Sequence, residues 1–379
     1  MITYKNGIVK YLPTDFVVTE KIIPNFQKGN KYSLFILEKN NVSLFNCLMR
    51  LSKILKIPIS NFHFFGEKDK YALTKQVIYT QKLKFIEKEI LLDNFKLIYL
   101  FDVQDINKNL MIVNKFFITV RKIKNPQLIK EKIEKIKNKS LQIPNYYDIQ
   151  RFGKRYINHI IGYYLVNGKY FEATYLFLCA YSKNENHKVK KTRKKIQELF
   201  ENQILKIDEV TKLKLPQYMD IEKIFLKILS QTRSYKRAWK NFPHKFTSLF
   251  KEAYHSYKFN EQIANFIKSV DSDYFIREYT LTIPEEFKNI TQKFPDKIEL
   301  VYPKKNINTN NPELNLEGNK RNIFSNPVIY WYELTKDEVF QDYQKLNLSF
   351  FLPKGEFATN LLNFLLEDFS VSEDFLVEE

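Results

Sequence analysis

The sequence predicts an α+β chain with β-rich ends and a helix-rich middle. Three observations carry this. Short alternating, β-prone runs fill most of residues 1–122 and return after residue 326. From residue 156 to 285 apolar residues recur instead at mostly helical spacing. A chain of 379 residues, 44% of them hydrophobic, can bury a large core and form two domains.

The formal net charge is +18, from 61 Lys and Arg against 43 Asp and Glu. Such a surplus favours a polyanionic partner, nucleic acid ahead of an anionic membrane. The competing explanation is codon drift in an AT-rich genome, which 33 Phe and only 8 Gly also fit. Cys47 and Cys179 sit in apolar, helical-looking runs and read as buried free thiols. No Cys/His cluster has metal-ligand spacing, so no metal is expected. There is no G-x-x-x-x-G-K-[ST] loop and no G-x-G-x-x-G after a strand, which leaves no support for a nucleotide cofactor. The N-terminus lacks a signal-peptide core and no apolar run could span a bilayer, so a cytoplasmic protein with no membrane partner is expected.

Taken in order, Pro13-Thr14-Asp15 reads as a turn and Phe16 to Glu20 as a strand. Phe16 is then a core strand residue or an aromatic face for a base, and Asp15 and Glu20 are alternatively braces of the loop. Tyr32 to Leu37 is β-like, and Ser43 caps an amphipathic helix running to Leu55. The stretch Phe65 to Gln76 sets Asp69 between Lys68 and Lys70, ahead of a strand at Gln76–Thr80. A lone loop Asp is commonly a turn former or cap. Flanking lysines, however, favour its ionised form, and an ionised carboxylate on a positive surface suits a nucleophile aimed at a polyanion.

Residues 95–100 and 114–121 read as strands, and 123–139 as a Lys-rich helix with Leu128, Ile129, Ile133 and Ile136 inward. Pro144 to Gly153 is dense in aromatics and amides with one Arg, either a base-reading loop or an aromatic turn into a helix. Helices are expected at 160–170, 175–181, 196–203, 221–229 and 246–269. The basic run Lys188 to Lys195 is solvated or contacts phosphates. None of the five His has a convincing partner, so all read as structural or surface. Residues 303–326 form a polar connection, strands return at 328–332 and 346–352, and 367–379 is an acidic tail.

Five separated motifs resemble, in order, those of the TruD family of pseudouridine synthases. They are P-x-D-F-x-V-x-E (Pro13 to Glu20), G-x-K-D-x-x-A-x-T-x-Q (Gly66 to Gln76), N-Y-F-x-x-Q-R-F-G (Asn145 to Gly153), G-x-R-R (Gly318 to Arg321) and L-P-x-G-x-[FY]-A-T (Leu352 to Thr359). Ala253 to Asn260 further resembles a helix of the family's inserted domain. Tyr147 stands where the family commonly has Phe, Asp148 where it often has Gly, and Lys320 where it has Arg.

The resemblance implies a catalytic domain on a mixed or antiparallel sheet from residues 1–154 and 325–379, with a helix-rich α/β domain inserted at 155–324. It implies isomerisation of uridine to pseudouridine in tRNA, at position 13, with Asp69 as nucleophile. Asn145 would contact the target uridine, and Phe16 and Phe357 would confine its ring. Glu20, Lys68, Tyr147, Arg151, Lys320 and Arg321 would support the site or touch RNA. No cofactor or metal is implied, and a monomer is expected. The rival reading is a non-catalytic RNA-binding or RNA-folding protein on the same scaffold, which a lost Asp in the second motif would mark. A methyltransferase or nuclease is disfavoured by the missing cofactor loop and metal cluster.

Overall fold

The computed structural model describes residues 1–22, 27–84, 87–106, 112–182, 185–201, 203–280, 283–304, 307, 313–316 and 319–367. The described residues divide into two compact units, one of Met1–Ile143 with residues 325–367, the other of Pro144–Phe324. The segment 144–154, expected with the first unit, belongs to the second.

The first unit opens with β1 (Ile2–Tyr4), β2 (Gly7–Val9), β3 (Phe16–Ile22) and β4 (Lys28–Asn40), then α1 (Leu44–Leu55). It continues through β5 (His63–Phe64), β6 (Leu73–Gln81), β7 (Glu89–Leu92), β8 (Phe95–Val103), β9 (Ile112–Ile123) and α2 (Pro126–Lys137). Ser43 caps α1, its hydroxyl accepting from the Asn46 N–H at 3.2 Å. The helix stops at Lys56, whose φ of 54° is left-handed. Between these ends Leu44, Cys47, Leu48 and Leu51 form one buried stripe, packed against Phe35, Leu37, Ile78 and Leu97 of the sheet.

The chain passes into the second unit at β10 (Ile143–Pro144). There it forms α3 (Asn158–Val166), α4 (Tyr170–Cys179), α5 (His187–Glu198), a short β11 (Phe200–Glu201) and β12 (Ile204–Leu205), α6 (Ile207–Val210), α7 (Asp220–Thr232), α8 (Tyr235–Asn241) and the long α9 (His244–Val270). Gly162 lets α3 approach α9 closely, since a Cβ there would meet the Phe250 carbonyl oxygen. The helical reading of residues up to 285 is corrected at β13 (Tyr274–Thr280), which pairs antiparallel with β14 (Lys297–Pro303) on either side of the one-turn α10 (Lys288–Thr291). The period there is two rather than 3.6, with Arg277 and Tyr279 inward on β13. The polar connection holds a hairpin, β15 (Glu313–Leu316) with β16 (Asn319–Asn322), before β17 (Phe324–Ser325). Gly318 and the acidic tail beyond Glu367 lie outside the described residues.

Back in the first unit, β18 (Val328–Lys336), β19 (Gln344–Pro353) and α11 (Ala358–Leu366) complete the chain described. The sheet runs β1-β2-β9-β3-β6-β4-β8-β7, and β19 pairs β9 and then β18. Strands β3 and β6 are parallel, whereas β9 is antiparallel to both β3 and β19, so the sheet is mixed and built from both ends of the chain. Cys47 and Cys179 are buried free thiols. Among the described residues no helix is long and apolar enough to cross a membrane.

Candidate active site

Asp69 lies in the loop that joins β5 to β6 in the first unit. The loop is tied down along its length. Gln76, inward on β6, donates from Nε2 to the Gly66 carbonyl at 3.4 Å. Lys68 reaches Glu20 on β3, Nζ to Oε1, at 2.8 Å. The Tyr71 hydroxyl donates to the Tyr11 carbonyl at 3.1 Å. The buried Lys39, at the end of β4, donates to the Asp69 main-chain carbonyl. Glu20 is itself fixed, since its Oε2 accepts from the Val77 N–H at 2.9 Å.

On this scaffold the Asp69 carboxylate stays half-exposed, at 48% of its side chain, while Oδ2 accepts from Lys10 Nζ at 2.9 Å. Lys10 itself is buried and has a left-handed φ of 58°. That backbone costs a non-glycine residue about 1 kcal/mol. Its ammonium sits 4.2 Å from the Phe16 ring centroid, a cation–π contact. Phe16 is 2% exposed and also meets Phe116 edge-on. The face expected for a base therefore carries Lys10. Burial pulls the Lys39 pKa down, opposed by Cys47, Asp69 and Glu67. Thr74 Oγ1 and Gln76 Oε1, both buried, have no hydrogen-bond partner among the described residues.

Asp15 is a brace: its carboxylate takes a two-pronged contact from Arg121 at 2.7 and 2.8 Å and the Leu12 N–H at 2.8 Å. Arg121 continues to Asp337 and Glu338 at the far end of β18. This buried network fixes the turn that leads from Lys10 into Phe16. Phe357 is the N-cap residue of α11 and is 38% exposed.

The second unit gathers its own cluster. Asn145 is 2% exposed; its Nδ2 donates to the Asn322 carbonyl at 3.1 Å, and its Oδ1 accepts from Arg321 Nη2 at 2.6 Å. The Arg321 guanidinium also reaches the Asn145 carbonyl at 3.0 Å and lies 4.2 Å from the Tyr147 ring centroid. Tyr147 is held by its backbone: Asn260 on α9 takes its N–H and gives to its carbonyl, both at 2.8 Å. Arg151 pairs with Glu252 at 2.7 Å and lies 5.6 Å from the same Tyr147 ring. Lys320 stands apart, with its side chain 76% exposed and 3.6 Å from Glu313. Asp148 is not in the left-handed region, so its replacement of a glycine needs no positive φ.

The structure thus brings Asp69, Lys68, Glu20 and Phe16 together in one unit, and Asn145, Tyr147, Arg151 and Arg321 in the other. Sequence reasoning missed Lys10 and Lys39. The signal for Lys39 was strand alternation, because Phe35, Leu37 and Lys39 share one face of β4. For Lys10 no local pattern existed. Among the described residues no three His, Cys, Asp or Glu side chains gather as metal ligands.

The family model described as tRNA pseudouridine synthase D (TruD) matches residues 4–307. A Pyrococcus abyssi protein named "Probable tRNA pseudouridine synthase D" is 32% identical over 258 residues, 67% of this chain and 61% of that relative's length. "Probable tRNA pseudouridine synthase D 1" of Methanococcus maripaludis is 26% identical over 381 residues, covering 92% of this chain and 96% of the relative. The crystal structure of a candidate tRNA pseudouridine synthase D of Methanosarcina mazei superposes with a TM-score of 0.63 at 21% identity, over 96% of this chain and 94% of that one. It shows that the two share a fold.

Proposed function

Because the chain belongs to the TruD family of tRNA pseudouridine synthases, we propose that it isomerises uridine to pseudouridine in tRNA, at position 13, with Asp69 as its nucleophile. The observation that carries this is the half-exposed Asp69 carboxylate, paired with Lys10 at 2.9 Å on a loop tied from several sides. A carboxylate that must act at a ribose needs to be reachable by a large substrate and fixed in direction. The Lys10 ammonium holds one oxygen, Oδ2, and leaves the other for the sugar.

The reaction breaks the bond from ribose to a uracil nitrogen and forms one to a carbon of the same ring. The carbon that forms the new bond gives up its proton and the freed nitrogen takes one up, so the composition is unchanged and nothing is oxidised. Asp69 acts at the ribose, by direct attack or by first drawing a proton there. The uracil detaches, rotates and is rejoined through carbon. The base must first leave its stack and be held. Asn145 keeps one amide hydrogen and one lone pair beyond its contacts with Asn322 and Arg321, a donor–acceptor pair that suits a uracil edge. Phe357 is a surface for the ring, and Phe16 lies beneath the Lys10 ammonium that holds Asp69, at the edge of the same site.

The test maps pseudouridine in total RNA, with a label that adducts it, from cells with and without the gene. Loss of one tRNA signal, restored by wild type and not by Asp69→Asn, is the expected result. If no RNA loses a signal, the non-catalytic RNA-binding reading replaces this one.

A further inference from the structure

The outward face of the sheet at β9, β19 and β18 carries aromatics that no function assigned above uses. Register places Phe117 opposite Ser349, and Ser349 opposite Trp331, so the three side chains lie in one row on one face. The Phe117 and Trp331 rings are near-parallel, 13° apart, with centroids 6.0 Å apart across the small Ser349. They are 36% and 41% exposed. In the next row Phe351 lies opposite Lys115, and Tyr330, 45% exposed, packs on Phe351 with the Lys115 ammonium 5.1 Å from its centroid. The reverse face of the same strands is core, where Phe116 stacks on Phe350 at 5.0 Å, so the display is rigid.

We propose that this face is a stacking platform for single-stranded RNA, with bases on Trp331 and Phe117 and the backbone along Lys115. Aromatics on adjacent strands of an open sheet, flanked by cations, hold unpaired bases without needing a fixed sequence. Charge selects the occupant. Lys115 has no carboxylate within 4 Å among the described residues, and neither does Lys21, an exposed lysine that shares this face by its pairing with Val113. Glu333 shares the face farther along β18 and marks the end that a backbone would avoid. A second copy of the chain is the poorer fit, because lysine is depleted at the centre of protein interfaces. The inference rests on the RNA-directed reading above, but uses side chains to which that reading gives no role.

The chain has two tryptophans, and Trp239 is buried at 3%, so collisional quenching and RNA-dependent changes in emission report on Trp331. The probe is a single-stranded ten-nucleotide oligo(A), which contains no uridine and cannot be a substrate. Oligo(A) is expected to quench Trp331 in wild type and in Asp69→Asn alike. Phe117→Ala is expected to weaken that binding about fivefold or more, and Lys115→Gln to flatten its salt dependence. Pseudouridine formation on saturating tRNA measures the Asp69 reading separately, so either can fail alone. Absence of quenching by oligo(A), affinity unchanged in Phe117→Ala, or a concentration-dependent dimer that protects Trp331 in sedimentation and quenching experiments would each overturn the proposal.

Discussion

Lys39 holds Asp69 by its backbone and not by its carboxylate. The ammonium, on a residue only 1% exposed, donates to the Asp69 carbonyl from within the sheet. Lys10 takes the carboxylate from the other side. Two cations thus divide the work, one fixing where the loop sits and one fixing where the carboxylate points.

Removing the inner one separates turnover from stability. Lys39→Met keeps most of the volume and removes a buried charge whose pKa burial already lowers. Removing that desolvated charge offsets the cost of leaving the Asp69 carbonyl without its donor. The loop, however, loses its anchor, and a displacement of about 1 Å at a reacting group can cost about a hundredfold in rate. The expected outcome is a kcat lower by roughly tenfold or more, KM within about twofold, and a melting temperature no lower than wild type. Steady-state kinetics and thermal melts check it; an equal fall in all three would make Lys39 a purely structural residue.

Asp69→Asn keeps the shape of the side chain and the loop's backbone contacts, but replaces the ion pair with a neutral contact. Turnover is expected to vanish while tRNA affinity stays within about fivefold, since an ion pair with a half-exposed carboxylate contributes about 1 kcal/mol. Lys10→Met should also lower kcat sharply, and in addition bares the Phe16 face. Filter binding beside a pseudouridine assay separates the two effects. Normal turnover by Asp69→Asn would end the nucleophile reading.

What sequence could and could not reveal follows the range of the interactions. The Ser43 cap, the α1 stripe and the strands at Tyr32 and Phe116 are set by residues a few positions apart, and periodicity found them. The helix expected to begin at Ile196 begins instead at His187, so the basic run is itself helical. Its middle arginine turns inward, with Arg193 meeting Glu222 at 2.6 Å. A run of like charge conceals that inward face from composition alone. Asp69 was legible from its spacing, but its partners Lys10 and Lys39 lie 59 and 30 residues away and only folding makes them neighbours. The same holds for Asn145 and Arg321, 176 residues apart.

That last pair sets apart two adjacent positions of one motif. Arg321 gives a planar fork to Asn145 and stacks on Tyr147, which a lysine cannot reproduce. Arg321→Lys is expected to destabilise by about 1–3 kcal/mol through the Asn145 groups it leaves unpaired, and to raise KM. Lys320, next to it on β16 and 76% exposed, should tolerate Arg with a change below about 0.5 kcal/mol. Denaturant unfolding of both variants tests the contrast; equal effects would show that the fork to Asn145 contributes nothing of its own.

His159 offers a prediction about acid. The imidazole is fully buried, stacked on Tyr257 at 4.7 Å and edged by Phe152 and Phe294, and neither ring nitrogen has a hydrogen-bond partner among the described residues. Burial pushes its pKa from the ordinary 6.5 down to about 3. In the unfolded chain the ring takes a proton as pH falls through 6.5, whereas in the folded chain it stays neutral until about 3. The unfolded state then binds more protons, so stability falls as pH drops through that window, at up to about 1.4 kcal/mol per unit. His159→Phe keeps an aromatic ring, removes two unsatisfied polar atoms and cannot be protonated. It should be more stable than wild type by about 1 kcal/mol at pH 7, and the gap should widen at pH 5. Urea unfolding at the two pH values measures both quantities. A gap that did not widen would mean that His159 is protonated inside the fold, against a carboxylate or carbonyl that comes within reach as the packing relaxes.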